Sequence, residues 1–319
     1  MKEDLRIVFM GTPDFAVASL DILVRKDYNI VGVITAPDRP AGRGQQLQQS
    51  AVKQYAVEKG LKILQPEKLK APEFLDELRA LKADLQIVVA FRMLPEAVWA
   101  MPPRGTFNLH GSLLPQYRGA APINRAVMNG ETETGVTTFF LQHEIDTGRI
   151  LFSERCDIGP DENAGEIHDR LMQIGAELVL KTVQAIIDNN YTEKEQDTMI
   201  KGELKHAPKI FREDCEIRWS APAKNVHDHI RGLSPYPAAF TTLVAPDGKE
   251  TIVKIFRSTI DQACTVAPGT ISSDGKTFLK VAAEGSWLNI LELQLAGKKR
   301  LSTIELLRGF QLGNGWKMK

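Results

Sequence analysis

The chain has 319 residues, 43% of them hydrophobic and 25% charged, so disordered, collagen-like and coiled-coil architectures are excluded and two domains are expected. Forty Lys and Arg balance forty Asp and Glu, which removes any whole-chain electrostatic argument for a polyanionic partner. No run approaches the roughly 18 apolar residues of a membrane helix, the apolar run near the N-terminus is too brief for a signal peptide, and the three cysteines form no CxxC pair, so a soluble cytoplasmic protein with no membrane partner, disulfide framework or structural zinc is expected.

Short apolar runs alternate with amphipathic stretches through the first half, the pattern of a parallel sheet covered by helices. Residues 5–10 (LRIVFM) predict a buried strand, 11–14 a turn and 15–24 a helix. A second strand is expected at 29–35, then a Gly- and Pro-rich loop over 37–49. Helices are expected near 51–59 and 72–81, and 84–91 reads as a central parallel strand, almost continuously apolar. Residues 106–110 (TFNLH) alternate apolar and polar, which puts Asn108 and His110 on one face and Phe107 and Leu109 on the other. Two more strands are expected at 135–142 and 149–156, joined by a connection holding Asp146, Thr147 and Gly148, and then a long helix over 163–187.

Residues 190–207 are polar and without sustained periodicity, so they are the expected linker between domains at 1–189 and 208–319. Beyond them a helix near 223–232 and five short strands separated by turn signals predict a small barrel or sandwich of the oligonucleotide-binding kind. The fold class expected is therefore α/β, with a doubly wound, mostly parallel N-terminal sheet and a small C-terminal β-barrel.

The segment after the first strand has one glycine where a dinucleotide fingerprint needs three, and it lacks the P-loop lysine, so a tight turn is the better reading. Residues 108–115 (NLHGSLLP) differ in kind. An amide and an imidazole share one face at a strand's end, where α/β folds place their sites, and acyl transfer needs an oxyanion stabiliser and a group that manages a proton. Asp146 is placed to orient His110; the alternative is a buried, hydrogen-bonded Asn and His near a surface Asp. Ser112 lacks the GxSxG elbow of a nucleophile and reads as a turn cap. No HExxH or His/Cys pairing supports a metal. In the loop DRPAGRG (38–44), Arg39 and Arg43 are suited to phosphate, although composition alone favours a solvated loop.

HGSLLPxYRGAAPI at 110–123, preceded by Asn108 and followed by GVTTFFLQHEIDTG at 135–148, closely resembles the methionyl-tRNA formyltransferase family. GTPDF, DRPAGRG and SPYPAAF (234–240) extend that resemblance over nearly the whole chain. Asn-x-His, SLLP and the Asp alone would mark only the wider group of 10-formyltetrahydrofolate transferases, which includes the glycinamide ribonucleotide enzyme. The resemblance implies formyl transfer from 10-formyltetrahydrofolate to methionyl-initiator tRNA, with no metal. Asn108, His110 and Asp146 match the family's catalytic trio, Ser112, Leu113, Leu114 and Pro115 its folate-binding turn, and Arg43 its acceptor-stem arginine. Arg39 in the same loop, and the basic run Lys298, Lys299 and Arg300 in a barrel of the family's tRNA-binding kind, are the further tRNA contacts expected. A monomer is expected. One stretch departs from the family's AYG-x-ILP pattern: residues 90–95 read AFRMLP, one residue shorter and with Arg92 in place of small residues.

Two enzyme readings and one of another class follow: the tRNA formyltransferase, a formyltransferase of a small amine, and an RNA-binding protein without catalysis, against which the intact trio argues. The zero charge conceals an asymmetry. From residue 208 onward sixteen Lys and Arg face eleven Asp and Glu, a balance of +5 that leaves −5 for the preceding residues.

Overall fold

A computed structural model of the chain describes residues 4–41, 46–312 and 315–319. Along the chain the elements are β1 (Ile7–Gly11), α1 (Asp14–Arg25), β2 (Ile30–Ile34), β3 (Arg39–Ala41), β4 (Gln46–Gln48), α2 (Ala51–Glu58), β5 (Ile63–Leu64), α3 (Pro72–Ala80), β6 (Leu85–Val89), α4 (Glu96–Trp99), β7 (Thr106–His110), β8 (Arg118–Gly119), α5 (Pro122–Met128), β9 (Glu133–Phe140), β10 (Ile150–Asp157) and α6 (Ala164–Ile187). After a 3-10 turn at Gln196–Met199 come β11 (His206–Ala207), a second 3-10 turn at Glu213–Cys215, α7 (Ala223–Leu233), β12 (Ala239–Val244), β13 (Glu250–Ala263), β14 (Ile271–Ser273), β15 (Leu279–Ala282), β16 (Ser286–Leu295), β17 (Leu301–Ser302), α8 (Thr303–Leu307) and β18 (Lys317–Met318). Two compact units result. One holds residues up to 119 with 135–156 and 168–206, and the other holds 120–134, 157–167 and 207–319, so the division is not a single cut in the sequence. No helix among the described residues is long and apolar enough to cross a membrane.

The first unit is built on a seven-stranded sheet of order β10-β9-β7-β6-β1-β2-β5. The five strands from β7 to β5 run parallel and β9 is antiparallel to β7. β1 and β6 are buried at every residue, which is why their sequences are nearly unbroken apolar runs. Where a wholly irregular loop was expected over 37–49, β3 and β4 pair antiparallel, Arg39 opposite Gln48. α4 and α5, of four and seven residues, carry too few apolar repeats to stand out in the sequence.

In the second unit, antiparallel strands run in the order β14-β15-β16-β13-β12-β18 around a core of residues such as Ile230, Val253, Leu288 and Ile290. A bridge between Thr270 and Lys317 joins the two ends of that order and makes the sheet a near-barrel. The closure is tight at Gly269, where φ is +81° and an added Cβ would stand 2.2 Å from the carbonyl oxygen of Met318. Trp219 Nε1 donates to Thr241 Oγ1 at 2.9 Å, and that hydroxyl donates to the Lys319 carbonyl at 2.6 Å, which fixes the closing segment.

Two histidines lie on α7 in this unit, His227 buried and His229 half-buried. His227 Nε2 donates to the Pro160 carbonyl and its Nδ1 lies 3.1 Å from Ser258 Oγ. A carbonyl only accepts, so the neutral ring carries its hydrogen on Nε2 and accepts from the serine at Nδ1. Burial lowers the pKa of both His227 and His229; at His227 it outweighs the nearby Asp161 and Asp228, while Arg231 acts in the same direction as burial.

Two stability measurements follow from this unit. Gly269→Ala should lower the free energy of unfolding by about 1–3 kcal/mol in urea, because the added methyl group requires a disfavoured backbone conformation and meets an immovable carbonyl. Since the folded-state pKa values of His227 and His229 lie below the unfolded value near 6.5, the unfolded chain binds more protons as the solution is acidified. The urea midpoint should therefore fall as pH drops below about 6.5, and less steeply in His227→Gln.

Candidate functional site

β7 supplies the centre of the site. Leu109 lies against Gly175 of α6, so the alternation of the strand turns Asn108 and His110 to the other face. His110 is 6% exposed, and its ring stands edge-on to Phe139 at 6.5 Å. The chain then folds back on itself: Ser112 Oγ donates to the Gln116 carbonyl at 2.7 Å, while Thr137 Oγ1 donates to the Ser112 carbonyl and accepts from the Leu114 amide. This fold brings the Tyr117 carbonyl to 2.9 Å from His110 Nε2. Nε2 therefore donates, and Nδ1 is the ring nitrogen facing Asp146, 3.9 Å from Oδ2. That separation exceeds a direct hydrogen bond, so the carboxylate faces the ring without bonding to it.

Asp146 sits in a left-handed backbone conformation, φ +56°, which side-chain-bearing residues adopt rarely. Its Oδ2 accepts from the Gly119 amide at 2.9 Å, which aims the carboxylate. The backbone is held by Gln196, 2% exposed, whose amide donates to the carbonyls of Asp146 and Gly148 at 2.9 and 2.8 Å and accepts from Arg118 Nε at 2.9 Å. Gly148 admits no side chain, since an added Cβ would lie 1.7 Å from the Phe140 carbonyl oxygen. Gln196 is the residue sequence reasoning missed. It belongs to the polar stretch expected to be a linker, where a backbone bridge between Lys194 and Ile150 also forms, and no local pattern distinguishes it from its neighbours.

Asn108 is half-buried, and among the described residues its side-chain amide makes no hydrogen bond to protein. An amide and an imidazole thus share one face of β7, and a carboxylate faces the imidazole, an arrangement that can stabilise an oxyanion and move a proton. Ser112 is fully buried with its hydroxyl committed to the turn, which leaves it no role as a nucleophile. Leu114 and Pro115 are buried and Leu113 is half-buried in the same turn, beside His110.

Arg39 is exposed at the start of β3, Arg43 lies outside the described residues, and residues 298–300 belong to the second unit. Lys298 and Lys299 are exposed, whereas Arg300 forms a two-pronged ion pair with Glu292 at 2.6 and 2.5 Å and stacks 4.1 Å over Phe256.

A family model described as formyl transferase matches residues 5–183, and one described as formyl transferase, C-terminal domain, matches residues 209–311. The chain is 60% identical to a methionyl-tRNA formyltransferase of Bacteroides fragilis, with 100% of this chain and 99% of that protein aligned. It is 50% identical to one of Flavobacterium johnsoniae over 96% of each. Among solved structures, an N-formyltransferase of Helicobacter canadensis in complex with folinic acid and dTDP-3-aminofucose is similar with a TM-score of 0.64 at 20% identity, over 90% of this chain and 98% of that one. HypX of Aquifex aeolicus in complex with tetrahydrofolic acid is similar with a TM-score of 0.63 at 18% identity, over 95% of this chain and 47% of that one. At such identities the likeness is one of fold.

Gln196→Ala should strand two carbonyls and the Arg118 Nε–H inside the first unit. The expected loss is about 1–3 kcal/mol of unfolding free energy, read from urea titration.

Proposed function

The chain belongs to the methionyl-tRNA formyltransferase family within the formyl transferases, and on that premise we propose that it transfers the formyl group of 10-formyltetrahydrofolate to the α-amino group of methionyl-initiator tRNA. The product, formylmethionyl-tRNA, serves translation initiation. The observation that carries the chemical reading is the uncommitted Asn108 amide beside His110 and Asp146 at the carboxyl end of β7.

In the reaction the acceptor nitrogen forms a bond to the formyl carbon, the bond from that carbon to N10 breaks, and a proton passes from the acceptor amine to N10. An α-amino group with a pKa of about 7.7–8.0 is partly neutral at cellular pH, so it needs a positioned proton carrier more than strong activation. Asn108 donates its amide hydrogens to the oxyanion that develops on the formyl oxygen. His110, with Nε2 held by Tyr117, uses its Nδ1 side, and Asp146 favours positive charge there as the proton moves. The turn at 112–115 lies beside this centre and offers apolar surface to the donor's ring system, with Leu113 its least buried leucine.

A small-amine acceptor is the second reading, favoured by the fold shared with sugar N-formyltransferases. The 60% identity along the whole chain and the basic balance of residues 208–319 favour tRNA. On this reading residues 208–319 supply the tRNA-binding domain, with Lys298 and Lys299 as free cationic contacts and Arg300 available only in competition with Glu292.

The test supplies formylated folate with methionyl-initiator tRNA, methionyl-elongator tRNA or glycinamide ribonucleotide. Initiator tRNA should be the preferred acceptor, and formylation of the small amine alone would refute the assignment. At saturating tRNA, Asn108→Ala should reduce turnover by about 10²–10³-fold, the usual cost of losing one oxyanion donor. Asp146→Ala should also reduce turnover, and wild-type rates in both variants would remove these residues from the mechanism.

A further inference from the structure

The departure at residues 90–95 creates a feature that neither the trio nor the barrel uses. Val89 pairs with Leu109, so Ala90, with φ +46°, turns the chain outward next to the strand that ends in His110. Arg92 follows, exposed but anchored: Nη1 donates to the Glu67 carbonyl at 2.8 Å, Nη2 donates to the Pro66 carbonyl, and the guanidinium lies 5.7 Å from the centre of the Phe91 ring. The same backbone segment holds the approach to β3. Gln65 Nε2 donates to the Ala36 carbonyl and to Asp38 Oδ1, each at 2.8 Å, and Lys53 pairs with Asp38 Oδ2 at 2.5 Å. Arg39 is the next residue, so residues 65–67 are the shared platform from which both arginines extend.

Two arginine-bearing segments thus share one anchoring stretch of backbone. Partial desolvation, followed by the charge of Arg39, lowers the Arg92 pKa from its usual value. Among the described residues neither guanidinium has a carboxylate partner, and the nearest acid in sequence, Asp38, is already bound by Lys53 and Gln65. Arg92 spends two of its five N–H donors on backbone carbonyls, which fixes the plane of the guanidinium and leaves three for a ligand. A preorganised guanidinium without a carboxylate partner, such as that of Arg92, suits an oxyanion of an extended substrate.

We propose that Arg92 and Arg39 form an anion-binding pair that takes a backbone phosphate of the tRNA. The assignment rests on the tRNA-formylating reading and adds to it a contact at the position where this chain departs from the family pattern. Phosphate is favoured over a single carboxylate because two adjacent cations match the charge density of a nucleic-acid backbone, whose condensed counterions they would release. Arg92 in this role binds substrate and touches no reacting atom.

The experiment is steady-state kinetics of the full chain with methionyl-initiator tRNA at about 50 to 200 mM salt, comparing Arg92→Gln, Arg39→Gln and Arg92→Lys with the unaltered protein. Each glutamine variant should raise the KM for tRNA about three- to tenfold, with kcat and the KM for the formyl donor within about twofold. Each should lower the slope of log kcat/KM against log salt by about one unit, as expected for one lost phosphate contact. Arg92→Lys should keep the slope while losing part of the affinity, because it retains the charge but not the fork. Arg39 is exposed on a surface strand, so its variant tests the site even if Arg92→Gln disturbs the 65–67 platform. Unchanged tRNA KM and slope in both glutamine variants would overturn the proposal, and so would a rise in donor KM alone, which would assign the anion to the donor's carboxylate tail. If the unaltered protein formylates no tRNA in the same assay, the functional reading itself fails.

Discussion

The site depends on holding a carboxylate where the backbone resists placing it. Asp146 occupies a left-handed conformation that costs of order 1 kcal/mol or more, and its neighbour Gly148 leaves no room for a side chain. Gln196 offsets that cost with two donated hydrogen bonds, while the Gly119 amide orients the carboxylate toward His110. Three stretches of chain far apart in sequence, around 108–119, 146–148 and 196, therefore have to be in place before Nδ1 of His110 faces its acid. The Tyr117 carbonyl adds a further constraint by taking Nε2, so the imidazole has one orientation and one side left for chemistry.

What could be read beforehand follows from how each feature is encoded. β1 and β6 are nearly unbroken apolar runs because central parallel strands are covered on both faces, and the alternation of 106–110 by itself puts Asn108 and His110 on a common face. Gln196 was invisible because its role is wholly tertiary: a glutamine in a polar stretch has no periodicity to betray burial. Arg300 illustrates the opposite case, in which a local cluster of like charges suggests a ligand surface but one member is held by a partner on another strand. β16 and β17 pair so that Glu292 lies opposite Ser302, close enough for Arg300 to reach its carboxylate, and a cross-strand partner cannot be read from a run of three residues. α4 and α5 were missed because helices of one or two turns present no amphipathic repeat.

Neutrality of the whole chain is a poor guide to its surfaces. The −5 of residues 1–207 and the +5 of 208–319 cancel in the sum, yet each operates locally, since charges separated by more than about 10 Å are largely screened at ordinary ionic strength. Pairing refines the count further. Arg231 is committed to Asp228, Arg125 to Asp214 and Arg300 to Glu292, so the cations available to an RNA are fewer than the composition suggests.

The closure of the near-barrel also bears on solubility. Its two end strands, β14 and β18, are joined across Thr270 and Lys317, and β18 also covers the outer side of β12. A chain that stops short of Lys317 would keep every other strand of the sheet but uncover the Leu243–Val244 end of β12 and the edge beside β14. Unpaired edges are templates for intermolecular strand addition. The two residues of β18 thus protect the second unit against self-association out of proportion to the few contacts they add to its core.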